Sequence, residues 1–252
     1  MRNDDGGAFA PCILIPVYDH AEGIVPTVLS LLPLNLPILL VDDGSGPACR
    51  AALDRLAGEH AERVSLVRRP RNGGKGAAMQ TGFAAARAAG HTHALQVDAD
   101  GQHEIADVPG FLEAARAHPG AVVCGVPVYD DSVPRSRLYG RYATHVWVWI
   151  NTLSTEIRDS MCGFRVYPLD TTLAVFDREY VGRRMDFDTE IIVRLFWRGL
   201  RVINRPTRVR YPSDGVSHFR LWGDNLRITL MHTRLFFGML RRLPRLLRRR
   251  GP

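Results

Sequence analysis

The chain has 252 residues, 46% of them apolar, and a formal charge of +7, which suits one large domain or one domain with an appended helical segment. Four scattered cysteines (Cys12, Cys49, Cys124, Cys162) form no C-x-x-C pair, so they read as buried or free thiols of a reducing compartment and exclude a disulfide framework or a zinc site. No signal-peptide pattern opens the chain, and nowhere do 18 apolar residues run together, so no leader and no transmembrane helix is indicated.

In chain order, Cys12–Val17 predicts a first strand, and helical spacing follows from His20 to Leu32, stopped by Pro33 and Pro37. Ile38–Val41 predicts a second strand, Asp42–Pro47 a turn, Ala48–Glu59 a helix and Val64–Val67 a third strand. An alanine-rich helix is predicted over Ala77–Ala89, then the apolar strand Ala94–Val97, a helix over Ile105–His118 and a buried strand Ala121–Gly125. After a loop over Val126–Arg137 come a helix over Leu138–Ile157, a strand Gly163–Tyr167 and a helix Phe187–Trp197. Two short strands, Val202–Asn204 and Arg208–Tyr211, precede a helical tail from about Phe219.

Strands and helices alternate, and the strands are apolar throughout, which predicts a mostly parallel sheet with helices on both faces. Such sheets bind ligands beyond the carboxyl ends of their strands. Four strand-end motifs then fall on one edge: Pro16–His20, Asp42–Gly46, Arg71–Gly76 and Asp98–His103. In the last, Asp98 and Asp100 sit one residue apart after an apolar strand, and strand alternation predicts that they point the same way. Two carboxylates so placed repel unless a cation lies between them. A hard divalent ion, Mg²⁺ or Mn²⁺, takes such oxygens, and Gln102 adds a neutral one. The bland reading of the same residues is a solvated Asp/Gly turn.

Taken in order, Ile15-Pro16-Val17-Tyr18-Asp19-His20, Val41-Asp42-Asp43-Gly44-Ser45, Arg71-Asn72-Gly73-Gly74-Lys75-Gly76, Asp98-Ala99-Asp100-Gly101-Gln102 and Gly163-Phe164-Arg165-Val166-Tyr167 resemble the GT-A-fold glycosyltransferases of family 2. The resembling branch contains dolichyl-phosphate mannose synthase and bacterial polyprenyl-phosphate sugar transferases, and the likeness runs from about Cys12 to Phe219. It implies a GT-A, Rossmann-like α/β fold and an inverting, metal-dependent transfer of sugar from a UDP- or GDP-linked donor to a lipid-linked acceptor, a polyprenyl phosphate. It implies donor contacts by Pro16, Val17, Tyr18, His20, Asp42, Asp43, Asn72, Lys75, Gly76, Asp98 and Ala99, and a metal held by Asp98, Asp100 and Gln102. Acceptor contacts are expected from Arg137, Arg165, Arg210, Ser217 and His218, with Asp159, Arg165 and Asp100 as catalytic residues.

The acceptor decides what Asp159 must do. A phosphomonoester is largely dianionic at neutral pH, with a second pKa near ~6, and needs positioning by arginines rather than deprotonation. A hydroxyl on a lipid, glycan or acylated carrier needs a general base, for which Asp159 is the candidate, with Asp188 and Glu190 in reserve. Asp186–Glu190 also reads simply as a capped helix start with acids in its first turn. A non-catalytic nucleotide-binding scaffold is the rival from another class, and the absence of G-x-G-x-x-G after the first strand opposes a dinucleotide oxidoreductase.

Six of the last twelve residues are arginines, and without that run the chain is close to neutral. Residues 1–218 read as the catalytic domain and 219–252 as a basic amphipathic helical tail, in which Trp222 and Phe236-Phe237 alternate with arginines. That composition suits a membrane interface, giving a peripheral protein on the cytoplasmic face, with packing on the catalytic domain as the alternative. No nucleic-acid module accompanies the tail, and nucleic-acid binding is not expected.

Overall fold

The computed structural model describes residues 8–128, 135–209 and 221–249, with backbone alone for 135–139 and 221–222. Seven strands, β1 (Pro11–Val17), β2 (Ile38–Asp42), β3 (Val64–Arg68), β4 (His93–Gln96), β5 (Val122–Val128), β6 (Arg165–Pro168) and β7 (Val202–Arg208), form one sheet in the order β3-β2-β1-β4-β6-β5-β7. The helices are α1 (Ala21–Leu31), α2 (Pro47–Glu59), α3 (Lys75–Ala88), α4 (Val108–Ala117), α5 (Arg135–Thr152), α6 (Leu169–Phe176), α7 (Phe187–Trp197) and α8 (Leu221–Arg248).

Both faces of the sheet are covered, which explains why its strands are apolar without alternation. From β1, Ile13, Ile15 and Val17 enter one core with α1, α2 and α4, while Cys12 and Leu14 enter the other with α3, α7 and α8. Only β6 runs against its neighbours, pairing antiparallel with β4 and β5. Its first residue, Arg165, therefore lies opposite Gln96, the last of β4. The segment leading into β6 reaches the same sheet edge as the loops leaving β1, β2 and β4.

Several elements differ from the sequence expectation. β4 stops at Gln96, and Asp98–Gly101 forms a turn with Gly101 at φ +69°. The turn, not strand alternation, therefore sets Asp98 against Asp100. Residues 126–128 are strand, because β5 stays paired with β7 through Val128 and Arg208. The two short strands expected around Pro206 are one, since β7 is an edge strand, where a proline's missing N–H is tolerated. α5 begins earlier than expected and ends at Thr152, where Leu153 turns left-handed at φ +50°. α6 was not expected; at eight residues it is too short to show a period.

α8 packs against α5 and α7, and Met231, Leu235, Met239 and Leu246 are buried in the core that α3 and α7 share. Its arginines divide. Arg234 reaches Glu190, Arg242 reaches Glu179, and Arg249 reaches the backbone oxygens of Phe196 and Leu200. Arg227 pairs along the helix with Asp224, while Arg241, Arg245 and Arg248 stay exposed. Part of the tail's charge thus packs on the catalytic domain, the alternative given above for this segment. Among the described residues no helix is long and apolar enough to cross a membrane.

Candidate active site

The end of β2 organises one half of the site. Asp42 is fully buried; its Oδ1 accepts the Ser45 N–H at 2.8 Å and its Oδ2 the Arg68 Nε–H at 3.1 Å. Asp43 accepts the N–H groups of Gly73 at 3.0 Å and Gly74 at 2.7 Å, and Arg69 Nη1 at 2.5 Å. The two acids expected to meet a nucleotide thus hold the neighbouring loops, Asp42 at Ser45 and Asp43 at Gly73 and Gly74. Asp43 draws the glycine-rich segment onto the sheet edge. Gly74 has φ +95°, and a Cβ there would sit 2.6 Å from the Arg183 carbonyl oxygen. Backbone packing of the 69–76 loop on residues 182–184 therefore already demands glycine.

Lys75, the first residue of α3, reaches under the Asp98–Gly101 turn. Its Nζ lies 2.8 Å from Asp98 Oδ1 and 2.8 Å from Asp188 Oδ2. Gln96 Nε2 donates to Asp188 Oδ1 at 3.2 Å and to Asp98 Oδ1 at 3.3 Å, and Tyr167 donates its hydroxyl to Gln96 Oε1 at 3.2 Å. Burial opposes the charge on Lys75, but Asp188 and Asp98 outweigh it and hold its pKa above the ordinary lysine value. Burial likewise opposes ionisation of Asp98, yet Lys75, with His103, keeps its carboxyl far below the usual range. Asp100 goes the other way: burial, then the negative charge of Asp98, raises its pKa. Its Oδ1 accepts the Gln102 N–H at 3.1 Å, and a cleft of about 240 Å³ opens beside it, lined by Gly23, Thr27, Ser30, Gly101 and His103.

Two neighbours of Asp98 lie within the motifs, but their contact with it is not readable from the spacing. His103 stacks on Phe164 with centroids 5.0 Å apart, and its Nε2 stands 3.5 Å from Asp98 Oδ2. Gly163 lies against the same carboxylate, where a Cβ would come within 2.5 Å of Asp98 Oδ2. Gln96 and Asp188 are a third surprise. Gln96 reads as one polar residue in an apolar run, and Asp188 as a helix-start acid; neither spacing discloses that they meet. Nor does Asp186 cap α7 through its side chain.

Asp159 forms the other half. Arg141 grips it from both sides, Nε to Oδ2 at 2.6 Å and Nη2 to Oδ1 at 2.7 Å, while Oδ1 also accepts the N–H groups of Met161 and Cys162 at 2.9 and 2.7 Å. His145 Nε2 stands 3.3 Å from Oδ2. Burial opposes the charge, but His145 and Arg141 hold this carboxyl well below the ordinary range. In this arrangement it is a poor proton acceptor. Arg141 and His145 lie on α5, one and two turns after Arg137, and were not singled out by the sequence.

Of the remaining candidates, Pro16 and Tyr18 are half-buried at the end of β1, Val17 is wholly in the core, and His20 is half-buried at the entry to α1. Asn72 accepts Arg184 Nη1 at 3.3 Å, and Gly76 packs on Gly182 in the first turn of α3. Ala99 is buried, its carbonyl against Gly23. Arg165 is fully buried and donates Nη1–H to the Asp188 carbonyl at 2.5 Å, with Nε and Nη2 lacking a hydrogen-bond partner among the described residues. Full burial keeps its guanidinium from solvent and turns one nitrogen to the start of α7, where a contact with an acceptor was expected of it. Arg137 is described by its backbone place in α5 alone, and Arg210, Ser217 and His218 lie outside the described residues.

Among the described residues no three His, Cys, Asp or Glu side chains converge as a ready-made metal cage. The donor set of Asp98, Asp100 and Gln102 nevertheless fits a hard divalent ion of the open kind, completed by substrate oxygens and water. Burial and the negative charge of Asp98 raise the Asp100 pKa, and His103 and Lys75 offset this only in part.

Comparison with known proteins agrees with this geometry. Polyprenol monophosphomannose synthase of Mycolicibacterium smegmatis is 26% identical over 221 residues, 85% of this chain and 82% of that protein. Undecaprenyl-phosphate mannosyltransferase of Micrococcus luteus is 27% identical over 199 residues, 77% of this chain and 80% of that protein. The fold is that of the GT-A enzymes: glucosyl-3-phosphoglycerate synthase from Mycobacterium tuberculosis, solved with Mn²⁺, UDP-glucose and phosphoglyceric acid, superposes with a TM-score of 0.62 at 14% identity, over 92% of this chain and 79% of that one. Residues 12–184 match the sequence profile of Glycosyl transferase family 2, and the chain belongs to that family as a glycosyltransferase.

Proposed function

We propose that this enzyme moves a sugar, with inversion at the anomeric carbon, from a UDP- or GDP-linked donor to a polyprenyl phosphate. The observation that carries the choice of acceptor is the state of Asp159. Both its oxygens are engaged, and its pKa is held low by His145 and Arg141, so it cannot serve readily as a base. A phosphate acceptor brings its own anionic nucleophile and needs only charge and orientation. The relatives named for polyprenol and undecaprenyl phosphate support the same choice.

On this reading the donor's diphosphate lies over the loop that Asp43 holds, near Lys75, and Asp98, Asp100 and Gln102 hold Mg²⁺ or Mn²⁺. Bound there, the ion supplies Lewis-acid stabilisation of the departing nucleoside diphosphate. Lys75 contributes a further positive charge at the same oxygens. Asp159 keeps Arg141 extended along α5 toward the acceptor side and thereby acts by positioning.

Residues 1–218 form the catalytic unit in this proposal, and 219–252 add a contact with the cytoplasmic membrane face. Support comes from the outer side of α8, where Leu226, Leu230, Phe237, Leu240 and Leu247 are exposed at intervals of three, four and seven. The arginines left exposed around them, Arg241, Arg245 and Arg248, have no acidic neighbours in that stretch of sequence, so the stripe suits anionic headgroups.

The test is a panel of UDP- and GDP-sugars with Mn²⁺, assayed on a polyprenyl phosphate and on the matching polyprenol. Product with the phosphate alone is expected. Equal turnover on the free alcohol overturns the choice of acceptor.

A further inference from the structure

Lys75 occupies a place where a metal would compete with it. Its ammonium is 2.8 Å from Asp98 Oδ1 and 2.8 Å from Asp188 Oδ2. Asp98 Oδ1 also receives Gln96 Nε2 at 3.3 Å, and Oδ2 lies 3.1 Å from the same ammonium and 3.5 Å from His103 Nε2, so both oxygens of this half-buried carboxylate are engaged. Gly163 allows that pose, since a side chain there would strike Asp98. Asp188 in turn is fixed by Gln96, which Tyr167 orients, and is buried at the start of α7. The ion pair is therefore built in, not a chance surface contact.

A divalent ion that takes Asp98 as a ligand must pull it from Lys75. Two cations sharing one carboxylate repel each other, strongly so in a buried setting. Lys75 then keeps Asp188 alone, unless a second anion arrives. A diphosphate lying on the adjacent glycine-rich loop is such an anion, within reach of a flexible lysine.

We propose that Lys75 is an internal counter-ion that blocks Asp98 from binding a divalent ion by itself and hands it over only when a nucleoside diphosphate is present. Metal and nucleotide then bind with positive coupling, and each strengthens the other by the same factor. The inference rests on the assignment of Asp98 and Asp100 as the metal site.

The experiment measures Mn²⁺ binding to the full chain by electron paramagnetic resonance, with and without saturating UDP or GDP, corrected for Mn²⁺ held by the free nucleotide. In the wild type, one nucleotide tightens Mn²⁺ binding by about tenfold or more. Lys75→Gln binds Mn²⁺ alone about tenfold more tightly than the wild type, and its coupling to nucleotide shrinks to a few-fold at most. Asp188→Asn moves the other way, because Lys75 then has Asp98 as its sole carboxylate partner of the two, and Mn²⁺ alone binds more weakly than in the wild type. Lys75→Gln that melts like the wild type but binds free Mn²⁺ no more tightly overturns the proposal; should that variant not fold, unchanged Mn²⁺ affinity in Asp188→Asn does so. If Asp100→Asn binds Mn²⁺ with nucleotide as well as the wild type, the metal assignment itself fails, and this inference with it.

Discussion

Asp159 is a buried acid and Asp100 a half-buried one, and their surroundings drive them in opposite directions. Asp159 is lowered by His145 and Arg141, so it stabilises the fold when ionised. A carboxyl whose folded pKa lies below its unfolded value contributes stability above that unfolded value, and the contribution is lost as pH falls through the folded one. Thermal melts of Asp159→Asn should therefore fall below the wild type across neutral pH, by about 3 kcal/mol for a broken buried pair, and converge with it only below pH ~4. Turnover on a phosphate acceptor should drop through KM, with no acid limb removed from the pH profile; loss of such a limb would restore the base role. Asp100 is raised by burial and by Asp98, so its charge costs stability as pH rises through its folded pKa. Asp100→Asn should melt at or above the wild-type temperature without metal, while metal-dependent turnover falls about a hundredfold or more. A lower melting point would mean that the acid is held by contacts beyond those described.

The elements were legible where one physical signal dominated. Apolar runs gave β1, β2, β4 and β5 to within a few residues, and the Phe187–Trp197 helix coincides with α7. The signal failed where pairing with a distant strand decides: β5 and β7 extend each other past Pro206, and nothing in Gly163–Tyr167 states that β6 runs backwards. In the site, each half of the Lys75–Asp188 pair was visible as a residue, but their meeting spans over a hundred positions and follows from the antiparallel entry of β6 and the docking of α7. The tail shows the same limit. Its composition reads as basic, whereas the fold turns part of that charge inward onto α7, where Glu190 accepts Arg194, Arg234 and the Gly182 N–H. Glu190→Ala leaves these donors unpaired in a fully buried place and should cost about 3–5 kcal/mol in chemical denaturation. Arg234→Ala, on the more exposed partner, should cost far less. Equal losses would show that the helix is held by the arginine's packing instead.

At the scale of the molecule, α8 has one side in the core and another to itself. Leu230 and Phe237 are more than half exposed, so Phe237→Asp should leave the melting temperature within a degree or two of the wild type, as surface substitutions change stability by about 0.5 kcal/mol or less. It should also sharply reduce sedimentation with anionic vesicles, and raised salt should weaken the binding of the wild type. Undiminished sedimentation of the variant would assign the bilayer contact to another surface. The reversed direction of β6 carries a last consequence. Because that strand enters from the sheet edge where β4 leaves, the turn that Asp159 fastens and the carboxylate of Asp98 abut at Gly163, with no room for even a methyl group between them. A side chain at position 163 would therefore press on Asp98 and on the Asp159-held turn at once, so neither can shift without the other.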